Sequence, residues 1–349
     1  MQDSKHPKVI GEGAYGCVTK PSLECTDGYD VRGKVSKIMN EPDAQDEMEH
    51  LMELYSIKGI EKFVVPKPHL CTPVEGTILN HMINNCVNKR LKHVFSNIQI
   101  IVSEDGGVTL DVLLKEWLPY MTSSDICTFV LQWMTLFDFL CFFHKNELMH
   151  HDIKMQNVLY NIKKKKLYII DFGKLIHFND YIKSAKENQN REGISWSNYP
   201  TETPCINVDA FYQDTNCTIY KNQYTHDDFL YAVASTFDMY STGLMLLKVV
   251  ELFRTNMTGK NTISHLFFEE CIHLFSQMSN PELLYRPIHP CNFKKKYAAL
   301  LKKYKIRETQ QYKNGKVRLI KRRTKKRKKK LVRYTSTRSN SKSSSNSNK

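Results

Sequence analysis

The stretch His150-His151-Asp152-Ile153-Lys154-Met155-Gln156-Asn157 sets a carboxylate, a lysine and an amide within six residues. A second carboxylate, Asp171, follows nineteen residues after Asp152, inside Asp171-Phe172-Gly173. These side chains can accept a proton, neutralise an anion and offer oxygen ligands to a hard cation. Between them lie two apolar runs, Val158-Leu159-Tyr160 and Leu167-Tyr168-Ile169-Ile170, around the basic turn Lys163 to Lys166. Short apolar runs about a polar turn predict a β-hairpin. Such a hairpin folds the chain back and brings Asp152, Asn157 and Asp171 to one edge.

This order of residues resembles the protein kinase signature H-R-D-L-x-x-x-N followed by D-F-G. The resemblance implies phosphoryl transfer, which asks for placement and charge neutralisation more than covalent help. Asp152 would then accept the proton of the substrate hydroxyl, and Lys154 would sit over the migrating γ-phosphoryl group. Asn157 and Asp171 would hold the Mg2+ or Mn2+ ions that bridge the phosphates of ATP. Lys154 resembles the serine/threonine kinases, so protein Ser/Thr hydroxyls are the implied acceptors.

Earlier in the chain, Val9-Ile10-Gly11-Glu12-Gly13-Ala14-Tyr15-Gly16-Cys17-Val18 matches G-x-G-x-x-G-x-V. The dinucleotide-binding fold shares this core, but there a helix follows the last glycine. Here Cys17-Val18-Thr19-Lys20-Pro21 follows, and proline disfavours a helix start. The pattern predicts strand–turn–strand. By resemblance the backbone at Gly11, Gly13 and Gly16 would face the phosphates, and Ile10 and Val18 would pack on the adenine.

Val31 to Met39 reads as a strand, with Val31, Val35, Lys37 and Met39 on one face by period-two alternation. Lys37 therefore shares the apolar face, and by resemblance it would hold the α- and β-phosphates. Glu41-Pro42-Asp43 opens a helix to about Ser56. Glu47, Leu51 and Leu54 fall on one stripe of it, so Glu47, rather than Glu49 or Glu53, is chosen as the partner of Lys37. Phe63 to Cys71 and Ile98 to Val102 read as further strands, and 80–97 shows no clear pattern. The resemblance makes residues 102–107 a hinge, Ile101 the side chain beside the adenine, and the backbone from Val102 to Asp105 the adenine's hydrogen-bonding partner.

Ile126 to Phe143 is apolar enough to suggest a membrane span, but it carries Gln132 and Asp138 and is read as a buried helix entered through Ser123-Ser124-Asp125. Lys174 to Asn198 reads as a long polar connection, the activation segment by resemblance. Tyr199-Pro200-Thr201-Glu202 stands where the family has A-P-E, and Asp238-Met239-Tyr240-Ser241-Thr242-Gly243 resembles D-x-Y-S-x-G on a helix over Phe229 to Glu251. The aspartate there would brace the catalytic loop, and Glu202 and Arg286 are predicted to form a buried ion pair. Phe293, Tyr297, Leu300, Leu301 and Tyr304 predict a last amphipathic helix, with the fold ending near Arg307.

The net charge of +15 conceals two regions. Residues 294–349 hold 23 lysines and arginines against one acid, Glu308, leaving a mildly acidic body. Lys321 to Lys330 is a basic run ahead of a Ser/Asn-rich end, predicted to be disordered. It suits phosphate backbones, an acidic protein or a nuclear address, without the aromatic residues that stack on bases. Ser336 and Ser339 are candidate autophosphorylation sites. Ten cysteines without a C-x-x-C pair, behind an N-terminus without an apolar run, read as reduced thiols in a cytosolic or nuclear compartment.

The resemblance covers about residues 9 to 290. The implied fold is α+β and bilobal: a kinase domain over 1–307, with a small antiparallel sheet and one helix to about 102 and a larger helical lobe over 108–307, then a tail over 308–349. The opening glycine segment, V-S-K-I-M and the E-D-G-G hinge are similar to the divergent serine/threonine kinases of large nucleocytoplasmic DNA viruses. That implies a monomer, without membrane attachment, in host cytoplasm or nucleus or packaged in the virion. Two departures stand out. His151 replaces the arginine that in many kinases binds an activation-loop phosphate, which implies activity without that phosphorylation. Tyr-Pro-Thr-Glu replaces A-P-E. A pseudokinase scaffold, a small-molecule phosphotransferase and a nucleic-acid-binding protein are the rival readings.

Overall fold

Glycines and prolines cut the first hundred residues into short strands. A computed structural model describes residues 6–13, 15–88, 91, 97–187, 197–256, 263–307, 312–313 and 316–317. The architecture is α+β. Strands β1 (Lys8–Glu12), β2 (Gly16–Lys20), β3 (Lys34–Asn40), β4 (His69–Cys71) and β5 (Ile98–Glu104) form one antiparallel sheet in the order β1-β2-β3-β5-β4. β3 starts three residues later than predicted, because Gly33 sits in a left-handed turn at φ 71°. The strand expected over 63–71 shrinks to three residues, since Pro66 and Pro68 remove ladder donors.

Helix α1 (Glu41–Ser56) is capped by Asn40, whose side chain accepts from Asp43 N, with Pro42 in its first turn. It packs Ala44 against Met39 and Ile101 on one face of the sheet. A second helix, α2 (Thr77–Asn85), covers the opposite face with Leu79, Met82 and Ile83 over Cys17, Ile38 and Ile100. The sheet region therefore carries two helices, not one. The signal was present as apolar residues at 79, 82 and 83, one stripe of a short helix.

Beyond the sheet, short helical turns run from Leu110 to Tyr120. Helix α3 (Ser123–Lys145) follows, capped by a Thr122–Asp125 box. Among the described residues it alone is long and apolar enough to cross a membrane. Its Phe129, Trp133 and Phe137 are buried in the main core. Strands β6 (Val108–Thr109), β8 (Val158–Asn161) and β9 (Lys166–Ile169) form a second small sheet, and β7 (Leu148–Met149) pairs with β10 (Ile176–His177).

Helix α4 (Phe178–Lys186) occupies part of the stretch expected to be a polar connection. Phe178, Tyr181 and Ala185 are its buried stripe, at helical spacing within a polar sequence. Residues 188–196 of that stretch lie outside the described residues. Short helical turns over Val208–Gln213 and Thr218–Lys221 lead into helices α5 (His226–Asn256), α6 (His265–Met278) and α7 (Pro290–Lys303).

The body runs to Glu308, and Thr309–Lys349 is a separate unit. In that unit Tyr312–Lys313 pairs antiparallel with Lys316–Val317. The basic run Lys321 to Lys330, Ser336 and Ser339 lie outside the described residues.

Eight of the ten cysteines are paired, where free thiols were expected: Cys17–Cys86, Cys25–Cys71, Cys141–Cys291 and Cys205–Cys217. Cys127 and Cys271 lie outside these four pairs. The partners stand 12 to 150 residues apart in sequence, so no local C-x-x-C spacing reveals them.

Candidate active site

The glycine segment forms the predicted strand–turn–strand, with Gly13 N donating to Gly16 O at 2.8 Å. Gly16 is obligatory for packing, since an added Cβ would lie 2.1 Å from Ile38 O. Gly11, Val18, Lys37, Ile101 and Leu70 are successive register partners across the five strands. Pairing in register puts Val18, Lys37 and Ile101 on one face. Ile10 is 54% exposed in β1.

Lys37 Nζ reaches Glu47 Oε2 at 2.5 Å. The helical stripe thus brings to Lys37 the carboxylate chosen from three. Asp105, in the stretch expected to be a hinge, is differently engaged. Its Oδ2 accepts from Lys20 Nζ at 2.7 Å, its Oδ1 from Gly107 N at 2.9 Å, and its carbonyl from Asn161 Nδ2 at 3.0 Å. Asp105 therefore braces the turn between the two sheets with both side-chain oxygens. Gly107 has φ 107°, and a Cβ there would fall 2.2 Å from Tyr160 O, so the turn passes close over β8 only with glycine. The Lys20–Asp105 contact was missed because its partners are 85 residues apart.

The hairpin of β8 and β9 pairs Val158 with Ile169 and Asn161 with Lys166. It closes the chain at its base, where Ile170 N donates to Asn157 O at 3.0 Å. Asp171 therefore begins where Asn157 ends, on one edge. Asn157 Nδ2 donates to Asp152 Oδ2 and to Asp152 O, both at 2.9 Å. Lys154 Nζ also reaches Asp152 Oδ2, at 2.6 Å. Asp152 is 8% exposed and Asn157 4%, while Asp171 is exposed. The structure thus joins Asp152, Lys154 and Asn157 by hydrogen bonds and sets the start of the Asp171 turn beside Asn157, with Phe172 packed against His150, ring centroids 4.8 Å apart.

The loop is held from below. Asp238, on α5, accepts from His150 N at 2.6 Å through Oδ2 and from His151 N at 2.9 Å through Oδ1. Burial pushes the Asp238 carboxyl up from its ordinary range, and the two backbone N–H groups oppose that rise. His150 Nδ1 accepts from Asp152 N at 3.3 Å, so the ring proton sits on Nε2, facing Ile170 O at 3.0 Å. One imidazole therefore ties the Asp152 turn to the Asp171 turn. His151 and Asp171 both hold left-handed backbone, φ 63° and 64°, conformations that surrounding structure must enforce at non-glycine residues.

His151 is buried among Tyr199, Phe237 and Tyr181, with ring centroids at 5.6, 4.4 and 5.5 Å. Burial, with the charge of Lys174, lowers its pKa to about 4. It is thus a neutral aromatic packing group at neutral pH, not a cation. Glu202 and Arg286 form the predicted buried pair, bidentate at 2.6 and 3.0 Å. Arg286 also donates to Asn280 O and Thr236 Oγ1 and lies over the Tyr240 ring.

No protein-family model matches the chain.

Proposed function

We propose that the chain is a bilobal, ATP-dependent protein serine/threonine kinase. The observation that carries this reading is the edge where Asn157 hydrogen-bonds Asp152 and, through its carbonyl, the residue before Asp171. The Lys37–Glu47 contact on the Val18–Lys37–Ile101 face supports it independently.

Within this reading each side chain has a task that its contacts favour. Both polar partners of the Asp152 side chain take Oδ2. Oδ1 is then the atom placed to accept the proton of a substrate hydroxyl. Asn157 commits its amide nitrogen to Asp152, which would leave its carbonyl oxygen for a cation. With the exposed Asp171 carboxylate, this makes an oxygen donor set of the kind that Mg2+ or Mn2+ takes. A metal bound there would offset the negative charge of the phosphates. Lys37 spends one of three donors on Glu47 and keeps the others for the α- and β-phosphates. Lys154, already beside Asp152, offers its charge to the group in transfer. Val18 and the exposed Ile10 would supply apolar surface for adenine, with the buried Ile101 beside it. Neutral, caged His151 favours a loop that is ordered without phosphorylation.

The same reading places the protein inside the host cell, in cytoplasm, nucleus or virion, as a monomer without membrane attachment, with the tail binding nucleic acid or an acidic partner. The four cysteine pairs point the other way on redox setting. Thiol counting on denatured protein isolated without reductant decides: ten thiols fit a reducing compartment, two fit the paired state.

Transfer of labelled phosphate from ATP to a mixed protein substrate tests the activity, wild type beside Asp152→Ala and Asp171→Ala. We expect each variant to fall by about 10²–10⁴-fold, with phosphoserine and phosphothreonine in the product. Equal transfer by all three proteins removes the assignment.

A further inference from the structure

The segment between β2 and β3 is stitched to β4. Thr26 N donates to Thr72 O at 2.9 Å, Val74 N donates to Glu24 O at 2.9 Å, and Cys25 bridges to Pro73. The bridge at Cys25 and the turn over Thr26-Asp27 behind it, closed by Gly28 N donating to Cys25 O at 3.3 Å, bring Cys25 and Asp27 against His69 and Cys71. One ligand atom from each of the four lies within 4.8 Å of all the others. His69 Nε2 is 2.7 Å from Asp27 Oδ2. Both groups are held in place: Tyr29 N donates to Asp27 Oδ1 at 3.0 Å, and the Tyr29 ring stacks on the imidazole at 3.9 Å. The two cysteines are buried, and the carboxylate and imidazole close the cluster toward solvent.

The Cys25–Cys71 disulfide uses only the two sulfurs. It gives no account of an oriented imidazole and an oriented carboxylate directly beside them. We propose that the four side chains are the ligands of one Zn2+, with Cys25 and Cys71 as thiolates, and that metal and disulfide are alternative occupants of this cluster. Zinc favours four such donors in a tetrahedron, with sulfur at about 2.3 Å and nitrogen or oxygen at about 2.0–2.2 Å. Those bonds set the donor atoms about 3–4 Å apart, which the cluster reaches once the sulfurs separate and the His69–Asp27 contact lengthens. Two molecules of a glutathione-class thiol reduce the disulfide, giving it two electrons and two protons and leaving as their own disulfide. Zn2+ then binds both sulfurs and releases their two protons to solvent. Four protein ligands leave no open position, so the site is structural. It clamps the β2–β3 connection to β4 in a reducing compartment, where the disulfide would be lost.

The test uses full-length protein reduced with a phosphine, stripped of metal and titrated with Co2+ under inert gas. We expect one Co2+ per chain with tetrahedral d–d bands and thiolate charge-transfer absorption, bleached by Zn2+. The Cys25→Ser/Cys71→Ser double variant should lose both features. Asp27→Asn and His69→Gln alter groups outside the core and keep the fold, checked by circular dichroism. Each should shift the bands and weaken binding by about tenfold or more. Absence of these bands in reduced wild type, or unchanged bands and affinity in the Asp27 and His69 variants, overturns the proposal.

Discussion

Glu202–Arg286 and Lys37–Glu47 are both short carboxylate–cation contacts, at 2.6 and 2.5 Å. Their surroundings differ in every other respect. The first pair has both side chains 0% exposed, two parallel hydrogen bonds, and further partners on the remaining guanidinium donors. The second is 22% and 26% exposed and rests on one contact. A buried charge left alone costs far more than a half-exposed one, because water cannot replace the lost partner. The first pair is therefore a fixture between the segment after residue 199 and the 283–286 turn that follows α6. The second keeps donors in reserve on the Val18–Lys37–Ile101 face, as the proposed contact with phosphates requires.

The sharpest way to break this contrast is on the fixture. Glu202→Ala strands Arg286 without its carboxylate and should cost about 3–5 kcal/mol of stability, read as the shift in a urea unfolding midpoint. A loss below about 1 kcal/mol would place this pair with ordinary surface bridges.

Lys37→Met should behave in the opposite sense. On the proposed reading, transfer from ATP drops by about 10²–10³-fold, as for loss of one charge-stabilising donor. Stability should move by no more than about 1 kcal/mol. Activity assays and urea melts on the same preparation separate the two effects, and a large stability loss with intact activity would reverse the roles assigned to the pairs.

His151 extends the comparison to pH. Its folded pKa, about 4, lies below the ordinary 6.5. Between those values the unfolded chain takes up a proton that the folded chain refuses, so stability falls as pH drops from about 6.5 towards 4. The loss from this group is on the order of 3 kcal/mol, and His151→Phe should flatten that part of the profile in urea melts at pH 7 and 4.5. An unchanged profile would mean that the ring is charged in its aromatic cage. The smallest expected effect concerns regulation. Phosphatase-treated protein should transfer phosphate at the untreated rate, since neutral His151 offers no charge to a phosphate; complete loss of activity would refute this.

Much of the site was legible because its signals are local or periodic. The β8–β9 hairpin follows from two apolar runs about a lysine turn. The choice of Glu47 follows from its stripe with Leu51 and Leu54, and the Asp238 brace from one short motif. Helices α2 and α4 were equally periodic but short, and polar neighbours masked the Leu79–Met82–Ile83 and Phe178–Tyr181–Ala185 stripes. The Lys20–Asp105 brace, the cage around His151 and the cysteine pairs were not legible. Each joins residues far apart in sequence, and only the folded chain determines which of them meet.

The central claim, that Asp171 and Asn157 hold metal-bound phosphates while Asp152 acts on the substrate, is tested most directly by calorimetry of ATP binding with and without Mg2+. Asp171→Asn should lose the Mg2+-dependent part of the affinity. Asp152→Asn should bind Mg·ATP as wild type does and yet fail to transfer phosphate. Wild-type Mg2+ dependence in Asp171→Asn, or full transfer by Asp152→Asn, would contradict the account.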